Sequence, residues 1–350
     1  MEHEIVTLRE IYAQPDVWRK SLTVLEALPV EALAGDRRPQ EYEWILVGCG
    51  TSYYLAQAAA ATFTAHFGIP VRAVPASEIL LSSKLVFPGG TERVFPVLIS
   101  RSGTTSEVLK VAEFFRARGV EFLAVTCDGN DLAGLTERVV AMPAHEQSTV
   151  MTSSFTSMLL ALQYISAKLA GERSFLESLS QLPGALEWLL ERYGSLVRAF
   201  AQQSLDDVAF LAQGALYPIA SETSLKVMES SSSFAQYFHT LEFRHGPKSI
   251  VQEGVLVGTL ISEASYEEES AVLLEMKELG ACTLAIANRF TPEVRNAVDL
   301  AIELNLNVPE LARMVIYVVW GQLFGSCLGL HKGLNPDSPR HLSRVVMLAG

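Results

Sequence analysis

No two cysteines in this chain stand close enough in sequence to share a task. The four, Cys49, Cys127, Cys282 and Cys327, are far apart with no CxxC, so neither a zinc site nor a disulfide framework is signalled, and a reducing cytosol fits. Basic runs are also missing. Lys and Arg number 27 against 39 Asp and Glu, a formal charge of −12, and they are scattered, which disfavours a general nucleic-acid surface. No GxxxxGK[ST] occurs, so a P-loop is excluded. The opening MEHEIVTLREIY lacks the apolar centre of a signal peptide, and a cytoplasmic location is expected. One uncharged stretch, Met314 to Leu330, approaches the lower length of a membrane span. It contains Gln322, Ser326, Gly321, Gly325 and Gly329, so it reads as a buried core or subunit-interface helix, and no membrane partner is expected.

What the chain does have is a globular composition and an alternating pattern. With 350 residues, 49% hydrophobic and 19% charged, it has length for two domains. An amphipathic stretch from Glu4 to Leu28 leads to a strand at Trp44 to Val47, then the loop GCGTS and a helix. Phe95 to Ile99 reads as a buried strand, followed by the loop SRSGTT, the helix SEVLKVAEFFRARG and the strand EFLAVTC. Such alternation predicts a doubly wound parallel sheet, and two-sided apolar runs such as VLIS suit strands covered on both faces.

The second half repeats the first. DVAFLAQGALYPIASETSLKV from 207 matches EWILVGCGTSYYLAQAA from 43 in pattern, and ELGACTLAIAN around Cys282 echoes ARGVEFLAVTC around Cys127. The expected organisation is an N-terminal helical segment at 1–34, a first domain at 35–173, linking helices at 174–205 broken near Pro183 and Gly184, and a second domain at 206–350.

Sheets of this class bind ligands beyond the carboxyl ends of their strands, where a helix N-terminus offers free N–H groups and a positive dipole end. Gly48-Cys49-Gly50-Thr51-Ser52 supplies two glycines and two hydroxyls there. Ser100, Ser102, Thr104 and Thr105 add four more hydroxyls. The set suits a phosphate held without metal. The competing reading is that these residues only cap helices. A dinucleotide fingerprint fails, because Tyr53 stands at the third glycine position and no acid ends the next strand.

Glu222, Lys226 and Glu229 fall at i, i+4 and i+7, on one helix face. Glu242-Phe243-Arg244-His245-Gly246-Pro247-Lys248 follows. Aldose-ketose chemistry needs a carboxylate to move a proton between C1 and C2, a histidine to assist ring opening and a cation to offset negative charge. A solvated salt-bridge face with a turn histidine is the alternative.

GCGTS, SRSGTT, EIYAQP, SLKVMES and FRHGPKSIV together resemble the SIS (sugar isomerase) family in its double-domain form, across essentially the whole chain. VMTSSFTSM, FRHGPKS and GLNPDSPRHLSRVV are similar to its galactosamine-6-phosphate deaminase and tagatose-6-phosphate isomerase branch. The isomerase half of glucosamine-6-phosphate synthase is a more distant match. The resemblance implies two tandem flavodoxin-like α/β domains, with Ser52, Ser100, Ser102 and Thr105 on the phosphate, and Gly50, Thr51, Arg101 and Gly103 shaping the loops. It places Thr152 and Ser153 on the substrate, Glu229 as proton shuttle and Lys226 beside it. It makes His245 a ring-opening group supplied by a neighbouring subunit, hence a homodimer. No metal or cofactor is implied; the partner is a sugar phosphate. The tail lysine of the synthase is replaced here by Arg344, which cannot form an imine at neutral pH, and neither an N-terminal nucleophilic cysteine nor room for a glutaminase domain is seen. Release of ammonia from a hexosamine 6-phosphate is therefore the expected reaction. Cleavage of a fructosamine-type 6-phosphate and a non-enzymatic phosphosugar sensor are the alternatives. Lys248 has no assigned role.

Overall fold

The computed structural model describes residues 5–127 and 131–345. The chain opens with helices α1 (Val6–Tyr12), α2 (Gln14–Glu26) and α3 (Val30–Ala34). Alternation follows: β1 (Glu43–Gly48), α4 (Thr51–Phe67), β2 (Arg72–Pro75), α5 (Ala76–Val86), β3 (Val94–Ile99), α6 (Ser106–Arg116), β4 (Leu123–Thr126), β5 (Val139–Ala141) and α7 (Ser153–Ala170). After α8 (Arg173–Phe200) come β6 (Asp207–Ala212), α9 (Tyr217–Ser231), β7 (Ala235–His239), α10 (Thr240–Phe243), β8 (Val255–Leu260) and α11 (Tyr266–Glu278). The series ends with β9 (Cys282–Ala287), α12 (Pro292–Ala297), β10 (Leu300–Glu303) and α13 (Glu310–His331).

Two parallel five-stranded sheets result, ordered β2-β1-β3-β4-β5 and β10-β9-β8-β6-β7. Read from the opposite edge, the second order is that of the first, so β6 corresponds to β1 and β8 to β3. Each is a doubly wound, flavodoxin-like sheet, as the alternation predicts. β3 and β8 are buried at every position, and β1 and β6 at all but the first. They show no two-residue alternation because helices cover both faces.

Among the described residues, one compact unit comprises 16–127, 131–146, 153–180 and 343–345; the other comprises 5–15, 147–152 and 181–342. In the first, Ile45, Val47, Leu98, Val111, Phe115 and Ala124 form the centre of an apolar core. In the second, Ala209, Leu211, Val257, Val272, Leu273 and Ala285 do the same. Here Asp337 caps α1 from afar, accepting the N–H groups of Val6 and Thr7 at 2.8 and 2.7 Å.

One expectation is corrected. Pro183 and Gly184 do not break the linking segment: α8 runs as a single helix of 28 residues with Pro183 inside it. An interior proline removes one hydrogen bond and costs about 3 kcal/mol. Phe175, Leu179, Leu182, Leu186, Leu189, Tyr193, Val197 and Phe200 are all buried along one helical stripe, and each is worth roughly 1.5–3 kcal/mol. The stripe outweighs the proline.

Met314 to Leu330 lies within α13, a helix long and apolar enough to span a membrane by composition, with 94% of its most apolar window buried inside the protein. It is a core helix. Its glycines face α9: a Cβ on Gly325 would stand 2.9 Å from the carbonyl oxygen of Lys226. Small residues there let the two helix backbones approach closely.

Candidate active site

The loop after β3 is tied down before it can bind anything. Ser100 N–H donates to Val125, Cys127 N–H and the Thr126 hydroxyl donate to the Arg101 carbonyl, and Leu132 N–H donates to the Gly103 carbonyl. Gly103 turns the chain at φ 64°, and Gly50 does so in the loop after β1 at φ 53°, a conformation that other residues rarely adopt. Thr51, Ser52, Ser100 and Arg101 are buried, while Ser102, Thr104 and Thr105 are half-buried at the rim.

The hydroxyls do not cap helices. The N-cap residues of α4 and α6 are Gly50 and Thr105, and neither makes a side-chain cap. Instead the hydroxyls of the Ser100–Thr105 loop bond among themselves. Gly103 N–H donates to Ser100 Oγ at 3.2 Å and Ser100 Oγ reaches Thr105 Oγ1 at 3.3 Å. Thr104 gives both its N–H and its hydroxyl to Ser102 Oγ, at 3.2 and 3.1 Å. Ser102 and Thr105 therefore act as acceptors within the loop, and their own O–H protons remain to donate. Two uncapped helix N-termini and a set of hydroxyl donors form an anion cradle.

Cys49 is held in its thiol form. Burial, followed by the Glu107 carboxylate, pushes its thiol up to about 12.

The second sheet offers a control. Its matching loop follows β8 at Ser262–Ser265, and there the donors are taken by the chain's own carboxylates. Ser262 N–H and Ser265 Oγ donate to Glu269 at 3.0 and 2.7 Å. Ser262 Oγ and Glu263 N–H donate to Glu310 at 2.9 and 2.7 Å. Two internal carboxylates occupy the place of an external anion.

Thr152 and Ser153 are both buried. The Thr152 carbonyl accepts from Gln322 at 3.2 Å, and Ser153 Oγ donates to Glu146 at 3.1 Å. Glu146 is the residue that sequence reading missed. It lies buried at the N-terminus of α7, where Ser154 donates to it through both N–H and hydroxyl, and its partner across space is Arg101, with Nη1 at 3.6 Å. The only sequence signal was Arg101 itself, a cation at the end of a buried strand with no acid at helical spacing.

In the other unit, α9 brings Glu222, Lys226 and Glu229 together as the spacing predicts. Lys226 Nζ stands 3.3 Å from Glu222 Oε1 and 2.5 Å from Glu229 Oε2. Lys226 and Glu222 side chains are fully buried, and Glu229 retains 18% exposure. Burial pulls the Lys226 amine down, but the two glutamates outweigh it and hold it above the ordinary lysine value. The two carboxylates thus favour the protonated form of Lys226. A solvated salt-bridge face is excluded by this burial. His245 lies on the surface, in the turn after α10, with its N–H on the Glu242 carbonyl. Lys248 and Arg244 both pair with Glu275, at 2.9 and 2.6 Å, which gives Lys248 a structural partner.

Fold and loop thus define a parallel α/β protein with an anion cradle at the strand ends. Residues 40–167 match the SIS domain family, which places both glycine- and serine-rich loops and the start of α7 inside that domain. Among curated relatives, the glutamine–fructose-6-phosphate aminotransferase (isomerizing) of Chlamydia pneumoniae is 27% identical over 97% of this chain and 58% of its own length. The chain therefore spans somewhat over half of that relative. Among solved structures, glucosamine-6-phosphate deaminase from Thermotoga maritima aligns at TM-score 0.79 with 26% identity, covering 98% of this chain and 99% of that one. Tagatose-6-phosphate ketose/aldose isomerase from Escherichia coli aligns at TM-score 0.85 with 23% identity, covering 97% and 96%, and shares the fold.

Proposed function

We propose that this protein is a phosphosugar aldose-ketose isomerase that deaminates a hexosamine 6-phosphate, galactosamine or glucosamine 6-phosphate, with water to a ketose 6-phosphate and ammonia. The observation that carries the phosphate is the Ser100–Thr105 loop, whose hydroxyls bond one another, leave the helix N-termini uncapped and keep the Ser102 and Thr105 protons for donation. Ser52 and Ser100 complete the cradle, and Gly50, Thr51, Arg101 and Gly103 set its shape. Thr152 and Ser153 stand at the sugar.

Glu229 takes the C2 proton and returns it at C1; water then adds to the resulting C2 imine, the C–N bond breaks, and ammonia leaves behind the ketone. Lys226, held as a cation beside it, offsets the negative charge that grows on the enolic intermediate. His245, exposed on its turn, opens the ring from a second copy of the chain, which makes the active species a homodimer. Similarity to a protein named a glucosamine-6-phosphate deaminase and the arginine at position 344 favour ammonia release over amino transfer. Purified protein given either hexosamine 6-phosphate releases ammonia in step with ketose 6-phosphate. If neither product forms while a fructosamine 6-phosphate is cleaved, the substrate assignment is wrong and the phosphate site stands.

A further inference from the structure

Arg101 sits among phosphate-binding candidates, yet its guanidinium points away from the solvent. The residue is 5% exposed, with Nη1 3.6 Å from Glu146 and Nη2 donating to the main-chain carbonyl of Arg344 at 2.9 Å. Its own carbonyl is fixed by Cys127 and Thr126. Glu146, itself 3% exposed, is anchored by Ser153 and Ser154 at the start of α7. A cation meant to meet a phosphate would be presented to it. This one is paired with Glu146 from within and donates from Nη2 to the Arg344 carbonyl.

We propose that Arg101 and Glu146 are a positioning pair. Arg101 clasps the Arg344 carbonyl onto the phosphate loop, so that filling the loop and fixing the C-terminal segment are a single event. The coupling rests on the phosphate reading above; the clasp does not. Ser100 and Ser102 flank Arg101, so an anion that orders their hydroxyls orders the backbone from which the clasp extends. Linkage then requires reciprocity: whatever factor the anion adds to tail order, tail order adds to anion affinity. Loss of a charge-assisted hydrogen bond of this kind releases a segment by about tenfold.

Trypsin reads the clasp directly, because the Arg344 carbonyl belongs to the peptide bond it would cut. Arg101→Gln alone leaves the Glu146 carboxylate buried without its arginine and can unfold the chain, so the working variant is the neutral pair R101Q/E146Q, with R101K beside it. Cleavage after Arg344 and after the exposed Arg118 is followed by mass spectrometry, with and without galactosamine 6-phosphate. The expected result is release at Arg344 about tenfold faster in R101Q/E146Q than in wild type, an intermediate rate in R101K, and no change at Arg118. Galactosamine 6-phosphate slows the Arg344 cut in wild type and not in the double variant. Equal unliganded rates at Arg344 overturn the clasp. Protection by the sugar phosphate that persists in R101Q/E146Q overturns the coupling. A wild type that binds no sugar phosphate by calorimetry refutes the phosphate reading and with it the coupling, while the clasp is still judged by the unliganded rates.

Discussion

At the scale of single residues, function turns on which oxygen accepts and which proton is left over. In the Ser100–Thr105 loop, Ser102 accepts twice and Thr105 once from loop neighbours, so each keeps a proton for an anion. A hydrogen bond to a charged group is worth roughly 1.5–3 kcal/mol. Ser102→Ala and Thr105→Val are each expected to raise KM for the sugar phosphate roughly 10- to 100-fold with little change in kcat; a fall in kcat at constant KM would remove these residues from the phosphate. Cys49, with its thiol pushed up to about 12, is expected to resist iodoacetamide at pH 8, as followed by peptide mass mapping. The hydroxyls, the glycines and the α9 triad were legible as residue types at strand ends and at helical spacing. The Arg101–Glu146 pair was not, because 45 residues of chain separate partners that meet only through the sheet.

At the scale of elements, α13 holds α9 and therefore the triad. Gly325 passes the Lys226 carbonyl so closely that an added methyl must displace one helix. Gly325→Ala is expected to cost about 1–3 kcal/mol in urea unfolding and to lower kcat, because Lys226 and Glu229 ride on the displaced turn. Unchanged stability would mean that α9 and α13 yield freely. Sequence showed these glycines only as interruptions in an apolar run; their purpose appears once the partner helix is known. The proline of α8 misled for the same reason. Local rules marked a break at Pro183, and the buried stripe that overrides it has meaning only when the surface it packs on exists.

For the whole molecule, the strand order repeats but the chemistry at the strand ends does not. The repeat was visible in the two matching stretches beginning at 43 and 207. That the second loop is filled by Glu269 and Glu310 was not, since neither carboxylate is adjacent to Ser262 in sequence. One sugar phosphate per chain is the expected calorimetric stoichiometry, and two would show that the carboxylates yield to an external anion. Stability should depend on pH in opposite ways at the two extremes. For Glu263 and Asp299, burial acts upward. Hydrogen bonds from Arg313 and Asn288 on Glu263, and from Lys277 and Thr283 on Asp299, outweigh it and hold both carboxyls below their ordinary values of 4.5 and 3.8. Their contribution is complete above those values and is lost as pH falls through the lower folded ones. Glu269 has the opposite sign, since burial raises it and its cost grows as pH climbs above 4.5. Lys226, held above 10.5, contributes fully below that value and loses its contribution as pH rises through the folded one. Urea midpoints are therefore expected to fall above pH 10.5, and Lys226→Met should make that fall shallower without abolishing it, because burial also raises Cys49, Cys282, Tyr164 and Tyr317.

The proposed role of Glu229 is proton transfer on a sugar held by its phosphate. It is tested most directly by ammonia release from galactosamine and glucosamine 6-phosphate, measured for wild type and Glu229→Gln at saturating substrate. General acid–base catalysis contributes about 10²- to 10⁴-fold. Wild type is expected to release ammonia and the variant to lose kcat by that factor, with KM nearly unchanged; a Glu229→Gln enzyme as fast as wild type would contradict the proton-transfer role.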